Sequence, residues 1–244
     1  MQVLNGSDSD GEMCIWALTM KSIQQKGLFR TMRIVISHIQ DLAFDFRYKT
    51  DTMRWTGLKD LDVLGGNKEH GVHYQPTQAR TLRDLFKKLA PPTTRPFLDL
   101  GCGKGRVLML AAEYGFRQLI GVDFSQDLCR VATSNLSRYL KTSRSVADYQ
   151  IVHADAATYT ISDSVCTIFM NNPFDAVVMR PVIELIKDSL KRHPRKIYII
   201  YVHPLCRYLF DNSEMFAVIA QHSFPQCDFL VYTTSTDLGK DYRN

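Results

Sequence analysis

Short apolar runs alternate with amphipathic stretches along the chain between residues 96 and 233. Apolar runs of about four to eight residues fit buried strands, and apolar residues recurring every third or fourth position fit helices packed on them. The pattern predicts strands near 96–100, 118–122, 148–152, 166–170, 195–202, 215–221 and 227–233, and helices near 104–115, 125–140, 180–192 and 204–211. The most regular helix follows Ser125, where Leu128, Val131, Ala132, Leu136, Tyr139 and Leu140 keep helical spacing behind a serine suited to cap it. Strands separated by helices imply parallel β-α units in a sheet covered on both faces. The last two strands have no helix between them and read as an antiparallel hairpin at the sheet edge.

Upstream the patterning changes. Residues 1–13 carry three acids, no base and several small polar residues, too little apolar surface to offset the entropy of ordering, so a flexible tail is expected. From Cys14 to Phe46, the residues Ile23, Phe29, Met32, Val35, Ile36, Ile39 and Leu42 recur at three- and four-residue spacing, as one or two helices broken near Gly27 would require. Such a stripe most often faces a core, which makes this segment a cap on the main domain; contact with a membrane surface or a partner is the alternative. Residues 47–74 turn polar and glycine-rich, as a loop or lid would. Residues 77–90 read as a helix with Leu82, Leu85, Phe86 and Leu89 on one face and Pro91-Pro92 as its stop. The expected plan is a tail over 1–13, a helical cap and lid over 14–76, and one α/β domain over 77–244.

Composition adds limits. A chain of 244 residues that is 45% hydrophobic buries a sizeable core, and its net charge of +5 is spread among acids instead of forming basic blocks, which disfavours a nucleic-acid partner. The six cysteines lie far apart with no C-x-x-C pair, a usage that fits reduced thiols in the cytoplasm. The N-terminal residues lack the basic-then-apolar order of a signal peptide, and no long apolar run suggests a membrane span. His70 and His73 have no third ligand nearby and read as solvent-facing, so no metal is expected.

The densest chemistry lies in FLDLGCGKGRVLMLAAEYGFRQLIGVDFS, from Phe97 to Ser125. Gly101, Gly103 and Gly105 turn the chain from the first strand into a helix, and glycine there lets a ligand touch bare backbone. The spacing is D-x-G-x-G-x-G, not the G-x-G-x-x-G of a dinucleotide site. Asp99, two residues ahead of Gly101, would repel a pyrophosphate and attract an ammonium. Asp123 closes the second strand where a carboxylate accepts from ribose hydroxyls, and Asp155 follows the third strand where an acid meets an adenine amine. The plainer alternatives are a tight turn and a helix cap at Asp123.

The segment resembles the cofactor site of the class I S-adenosylmethionine-dependent methyltransferases over residues 74–233. The resemblance implies a Rossmann-like α/β fold with a seven-stranded, mostly parallel sheet, S-adenosylmethionine as methyl donor and S-adenosylhomocysteine as product. It implies cofactor contacts from Tyr74, Gln75, Thr77, Asp99, Gly101, Cys102, Gly103, Gly105, Asp123, Phe124, Asp155 and Ala156.

Two strand ends are unusually polar. After the fourth strand, Asn171-Asn172-Pro173-Phe174 resembles the Asn/Asp-Pro-Pro-aromatic element of many N-methyltransferases, with one proline missing. The resemblance implies Asn172 as acceptor of the amine hydrogens, Pro173 as rigid support and Phe174 as platform; an ordinary proline turn is the alternative. His203, after the fifth strand, is the candidate base because imidazole titrates near neutrality. FDFRYKTDT (44–52) and HYQPTQ (73–78) resemble elements of a bacterial group of class I methyltransferases, with Lys49 in place of an expected glycine. That likeness implies Tyr74, Gln75 and Thr77 over the methionine end of the cofactor and Tyr48 and Asp51 in a lid; simple packing of an extension is the alternative. The expected activity is methyl transfer to a nitrogen of a small-molecule amine or a protein lysine. The rivals are nucleic-acid base methylation and a non-catalytic nucleoside-binding scaffold.

Overall fold

The computed structural model describes residues 28–54, 76–223 and 228–234. The expected tail, the first part of the cap, most of the polar loop, His70 and His73 lie outside the described residues. The chain divides into two compact units at Gln40/Asp41; the sheet and the site both belong to the second.

Seven strands follow in order: β1 (Phe97–Leu100), β2 (Gln118–Asp123), β3 (Asp148–His153), β4 (Thr167–Asn171), β5 (Tyr198–Val202), β6 (Phe216–Ser223) and β7 (Asp228–Thr234). The helices are α1 (Leu28–Tyr48), α2 (Ala79–Leu89), α3 (Arg106–Tyr114), α4 (Gln126–Thr142), α5 (Ala176–Arg192) and α6 (Arg207–Asp211). They form one sheet in the order β3-β2-β1-β4-β5-β7-β6, with β7 alone running against its neighbours. The strand order reverses at β1 and β4, and a crevice opens beyond the carboxyl ends of strands at such a switch point.

β1 shows why the sheet is covered twice. Its residues are buried throughout, yet Phe97 joins a core with Leu82, Leu85 and Phe86 of α2 and Leu108 of α3. Leu98 and Leu100 join a second core with Val178, Met179, Val182 and Ile183 of α5. Successive side chains of a strand point to opposite faces, so one apolar run serves both layers.

The expected elements are found with small shifts. Ser125 caps α4, its Oγ accepting from the Leu128 N–H at 3.3 Å. α5 begins at Ala176, a turn earlier than expected, because Asp175 accepts from the Val177 N–H (2.8 Å) and Pro181 sits inside the helix instead of opening it. α2 ends at Ala90 in a left-handed conformation ahead of the two prolines.

The stripe on α1 changes within the second unit. Leu42, expected to face a core, is exposed. The buried residues of the second unit's part of α1 are Asp41 and Phe44, chosen by specific partners: Asp41 pairs with Arg106, and Phe44 stacks on Tyr139 with ring centroids 5.7 Å apart.

Candidate active site

Gly101, Gly103 and Gly105 all have positive φ (79°, 52° and 80°), the left-handed region in which side chains are strained. The N–H groups of Gly101 and Cys102 both donate to the Val122 carbonyl, at 2.9 and 3.0 Å, which ties the loop to β2. A Cβ on Gly101 would fall 2.4 Å from the Pro173 Cβ, so the loop after β1 and the turn after β4 touch where only glycine fits. Beside that contact opens a cleft. Gly101, Asp123, Phe124, Asp155, Ala156, Pro173 and Phe174 line it, with Val122, Ala154 and Val178.

Two acids lie under the loop. Asp123 accepts the Gly103 N–H on one oxygen (2.8 Å) and the Ser125 N–H on the other (3.0 Å). Burial pushes its carboxyl up to about 6, against the opposing pull of those N–H groups and of His153. A carboxylate has about four lone-pair positions, so two backbone bonds leave Asp123 able to accept ligand hydroxyls. Asp99 is 2% exposed, and its Oδ2 is buried with no hydrogen-bond partner among the described residues. Burial, and then the neighbouring Asp123, hold its carboxyl well above the ordinary range. An unpartnered buried carboxyl beside a second acid favours a cationic ligand group, which would supply both the missing donor and a compensating charge.

Cys102 is part of the core, and burial followed by Asp123 and Asp99 pushes its thiol well up, so this residue offers a ligand only backbone. Asp155 holds the turn after β3 by accepting the Ala157 N–H at 2.8 Å.

The ends of β4 and β5 are neighbours through the pair Asn171↔Val202. The residues that follow them, Asn172 (φ 41°) and His203 (φ 48°), both adopt the left-handed conformation, which Asn and His enter more readily than most side chains. Asn172 Oδ1 accepts from the Tyr201 hydroxyl at 3.4 Å, and the His203 N–H donates to the Asp228 carbonyl at 2.9 Å. Asn171 Nδ2 donates to Thr77 Oγ1 at 3.0 Å, which brings Thr77 to the end of β4. Tyr74 and Gln75 lie outside the described residues. The structure therefore gathers Gly101, Asp123, Phe124, Asp155, Ala156, Pro173 and Phe174 around one cleft, with Asp99, Gly103 and Gly105 behind it. Phe174 falls with the cleft residues, whereas Asn172 and His203 are not among its lining.

A profile of the methyltransferase-domain family matches residues 72–216, more than half of the chain, and spans the cleft and both strand ends. The chain belongs to the class I S-adenosylmethionine-dependent methyltransferases. It is 26% identical over 123 residues to a protein-lysine N-methyltransferase of Saccharolobus islandicus, covering 50% of this chain and 69% of that one. It shares its fold with an RNA methyltransferase of Salinibacter ruber solved with S-adenosylhomocysteine, at a TM-score of 0.50 and 17% identity over 66% of this chain and 94% of the other. A methyltransferase of Aquifex aeolicus gives a TM-score of 0.51 at 9% identity, over 63% and 89%.

S-adenosylmethionine is the methyl donor, and the residues present fit it. The unpartnered Asp99 oxygen suits its ammonium, and the glycine cradle and Asp123 suit a close nucleoside. Sequence reasoning missed how this methyltransferase fixes the start of α3, directly after the glycine loop. Arg106, 2% exposed, donates to the Thr77 carbonyl (3.0 Å), to Thr52 Oγ1 (2.5 Å) and to Asp41. Its guanidinium also lies 4.8 Å from the centre of the Phe44 ring. Asp45 accepts from the Thr52 and Met53 N–H groups and from the Thr50 and Thr52 hydroxyls. The available signal was the run of acids and threonines in FDFRYKTDT, which reads as a lid and serves as a set of hydrogen-bond partners.

Proposed function

We propose that the methyltransferase transfers a methyl group to an amine nitrogen, with a lysine ε-amine as the first acceptor to test. The observation that carries the reading is the Asn171-Asn172-Pro173-Phe174 turn, which closes the cofactor cleft with Pro173 and Phe174 and holds Asn172 at the strand end next to His203. The Saccharolobus relative, a lysine N-methyltransferase, supports the same acceptor class.

Bound S-adenosylmethionine supplies an electrophilic methyl whose departure needs no proton, so alignment and exclusion of water are the main tasks left to the protein. Asp99 would hold the ammonium, Asp123 the ribose hydroxyls, and Asp155 the adenine edge. Asn172, fixed by the Tyr201 hydroxyl at 3.4 Å, would accept from the amine and turn its lone pair toward the methyl. His203, whose backbone is tied to Asp228, would take the proton that an ammonium substrate must lose.

The test is transfer of labelled methyl from S-adenosylmethionine to lysine peptides, small amines and RNA, with hydrolysis to identify the methylated atom. N-methyl-lysine or an N-methylated amine is expected. Label confined to RNA, or recovered on oxygen or carbon, would overturn the proposal.

A further inference from the structure

Asn135 is a polar side chain in the middle of α4 with 1% of its surface exposed. The residues around it on the buried face, Leu128, Ala132, Leu136 and Tyr139, suit packing against the sheet, and packing alone would put a leucine at 135. The amide instead makes three hydrogen bonds outside its own helix. Its Oδ1 accepts from the Asp51 N–H (3.0 Å), and its Nδ2 donates to the carbonyls of Asp51 (3.2 Å) and Lys104 (3.0 Å).

Lys104 is the long side chain of the glycine loop, and it is 2% exposed. Its ammonium donates to both Asp51 oxygens, at 3.2 and 3.3 Å, and to the Arg54 carbonyl at 2.7 Å. Gly105 rests on the same helix as Asn135; a Cβ there would lie 3.2 Å from the Ala132 Cβ. α4 and residue 51 thus grip the loop from behind, while Asp123 holds the Gly103 N–H in front.

We infer that Asn135, Lys104 and Asp51 are positioning residues for the cofactor: they make seating of the 45–54 segment and ordering of the glycine loop one event. The inference rests on the cofactor assignment and is independent of the nitrogen acceptor. A buried amide and a buried ammonium are each costly without partners, and residue 51 partners both. When the segment leaves, Asn135 and Lys104 lose those bonds together and the loop loses its rear support. Linkage requires the converse, that a ligand holding the loop also holds the segment.

The experiment combines calorimetric titration of S-adenosylhomocysteine with amide hydrogen exchange across residues 45–54, with and without that ligand. The proteins are wild type, Asn135→Leu and Asp51→Ala, with Asp155→Ala as a variant that changes the cleft lining without touching the glycine loop or residue 51. In wild type the ligand should slow exchange at 45–54. Both latch variants should exchange fast there and bind at least about tenfold more weakly, whereas Asp155→Ala should bind more weakly and, once saturated with ligand, exchange as slowly as wild type. A latch variant that stays folded by circular dichroism and binds as wild type does overturns the inference, as does exchange in wild type that ignores the ligand. Should Asn135→Leu not fold, Asp51→Ala decides alone, since the Asp51 side chain is 46% exposed. Wild type that fails to bind would overturn the cofactor site and the latch together; a failed latch in a protein that binds leaves the cofactor site standing.

Discussion

Replacing Gly101 with alanine tests how closely the glycine loop packs on the turn after β4. The new methyl would meet the Pro173 Cβ at 2.4 Å and its Cγ at 3.3 Å, at a residue whose φ is +79°. Holding alanine in the left-handed region costs about 1–2 kcal/mol. Forcing a methyl into filled space adds about 1–3 kcal/mol. The sum, about 2–5 kcal/mol, is a large share of the roughly 5–15 kcal/mol that keeps a domain folded. Gly115→Ala separates the two contributions, because its φ is also positive (+121°) while the nearest atom, Thr93 Cγ2, is 3.9 Å away. In scanning calorimetry, at roughly 2–4 °C per kcal/mol for a chain of this size, Gly101→Ala should melt about 10 °C below wild type and Gly115→Ala by no more than about half of that. Pro173 lines the cleft, so S-adenosylhomocysteine should also bind more weakly to Gly101→Ala. Melting within about 1 °C of wild type together with unchanged binding would refute the packing argument.

Asp123→Ala should weaken S-adenosylhomocysteine binding by about 1.5–3 kcal/mol, the usual size for hydrogen bonds to a charged group; an unchanged dissociation constant in a titration would reduce Asp123 to a loop brace. The same residue sets a pH dependence, since its carboxyl is raised from 3.8 to about 6 and keeps its proton in the folded protein where the unfolded chain has released it. Stability should therefore fall as pH rises through that window, by about 3 kcal/mol from this group. Denaturant midpoints should show the decline in wild type and a flatter profile in Asp123→Ala; equal slopes would contradict it. Asn172→Gly, chosen because Asn172 sits at φ 41° where alanine would add strain, should lower kcat and kcat/KM together and leave cofactor affinity within about twofold; wild-type turnover would move the acceptor pocket elsewhere. Arg106→Met should cost about 3–5 kcal/mol in chemical denaturation because it strands the buried Asp41 carboxylate; a loss below about 1 kcal/mol would show that water reaches Asp41.

Much of the sheet was legible because β1, β2, β4 and β5 each carry a short apolar run closed by a polar or glycine signal, while β3 at the sheet edge shows only Ile151-Val152. The glycine turn between β1 and α3, and its tie to Asp123, were legible because three closely spaced glycines and an acid closing the next strand leave a spacing that survives in one dimension. The N-terminal segment was not. Its apolar stripe predicted a core-facing helix, yet the docking of its second half is decided by Asp41, Asp45 and Thr52, whose shared partner Arg106 is remote in sequence. Lys104 and Asn135 were missed for the same reason: a lysine in a loop and an asparagine in a helix read as solvated until the fold brings residue 51 between them. The roles proposed for Asn172 and His203 depend on the substrate as much as on the chain; both residues follow the expected strand ends, and neither is among the residues that line the cleft.

The strand order has a consequence for how the chain is made. β7 is inserted between β5 and β6, so β6 has no neighbour in the sheet except a strand synthesised after it. Until residues 228–234 leave the ribosome, the edge of β5 from Tyr198 to Val202 stands unpaired, with apolar residues on both faces. Open apolar edges of this kind are where nascent chains associate wrongly. Deleting Asp228–Thr234 alone would remove β7 and leave β6 without its partner, so seven residues decide whether the described sheet has seven strands or five.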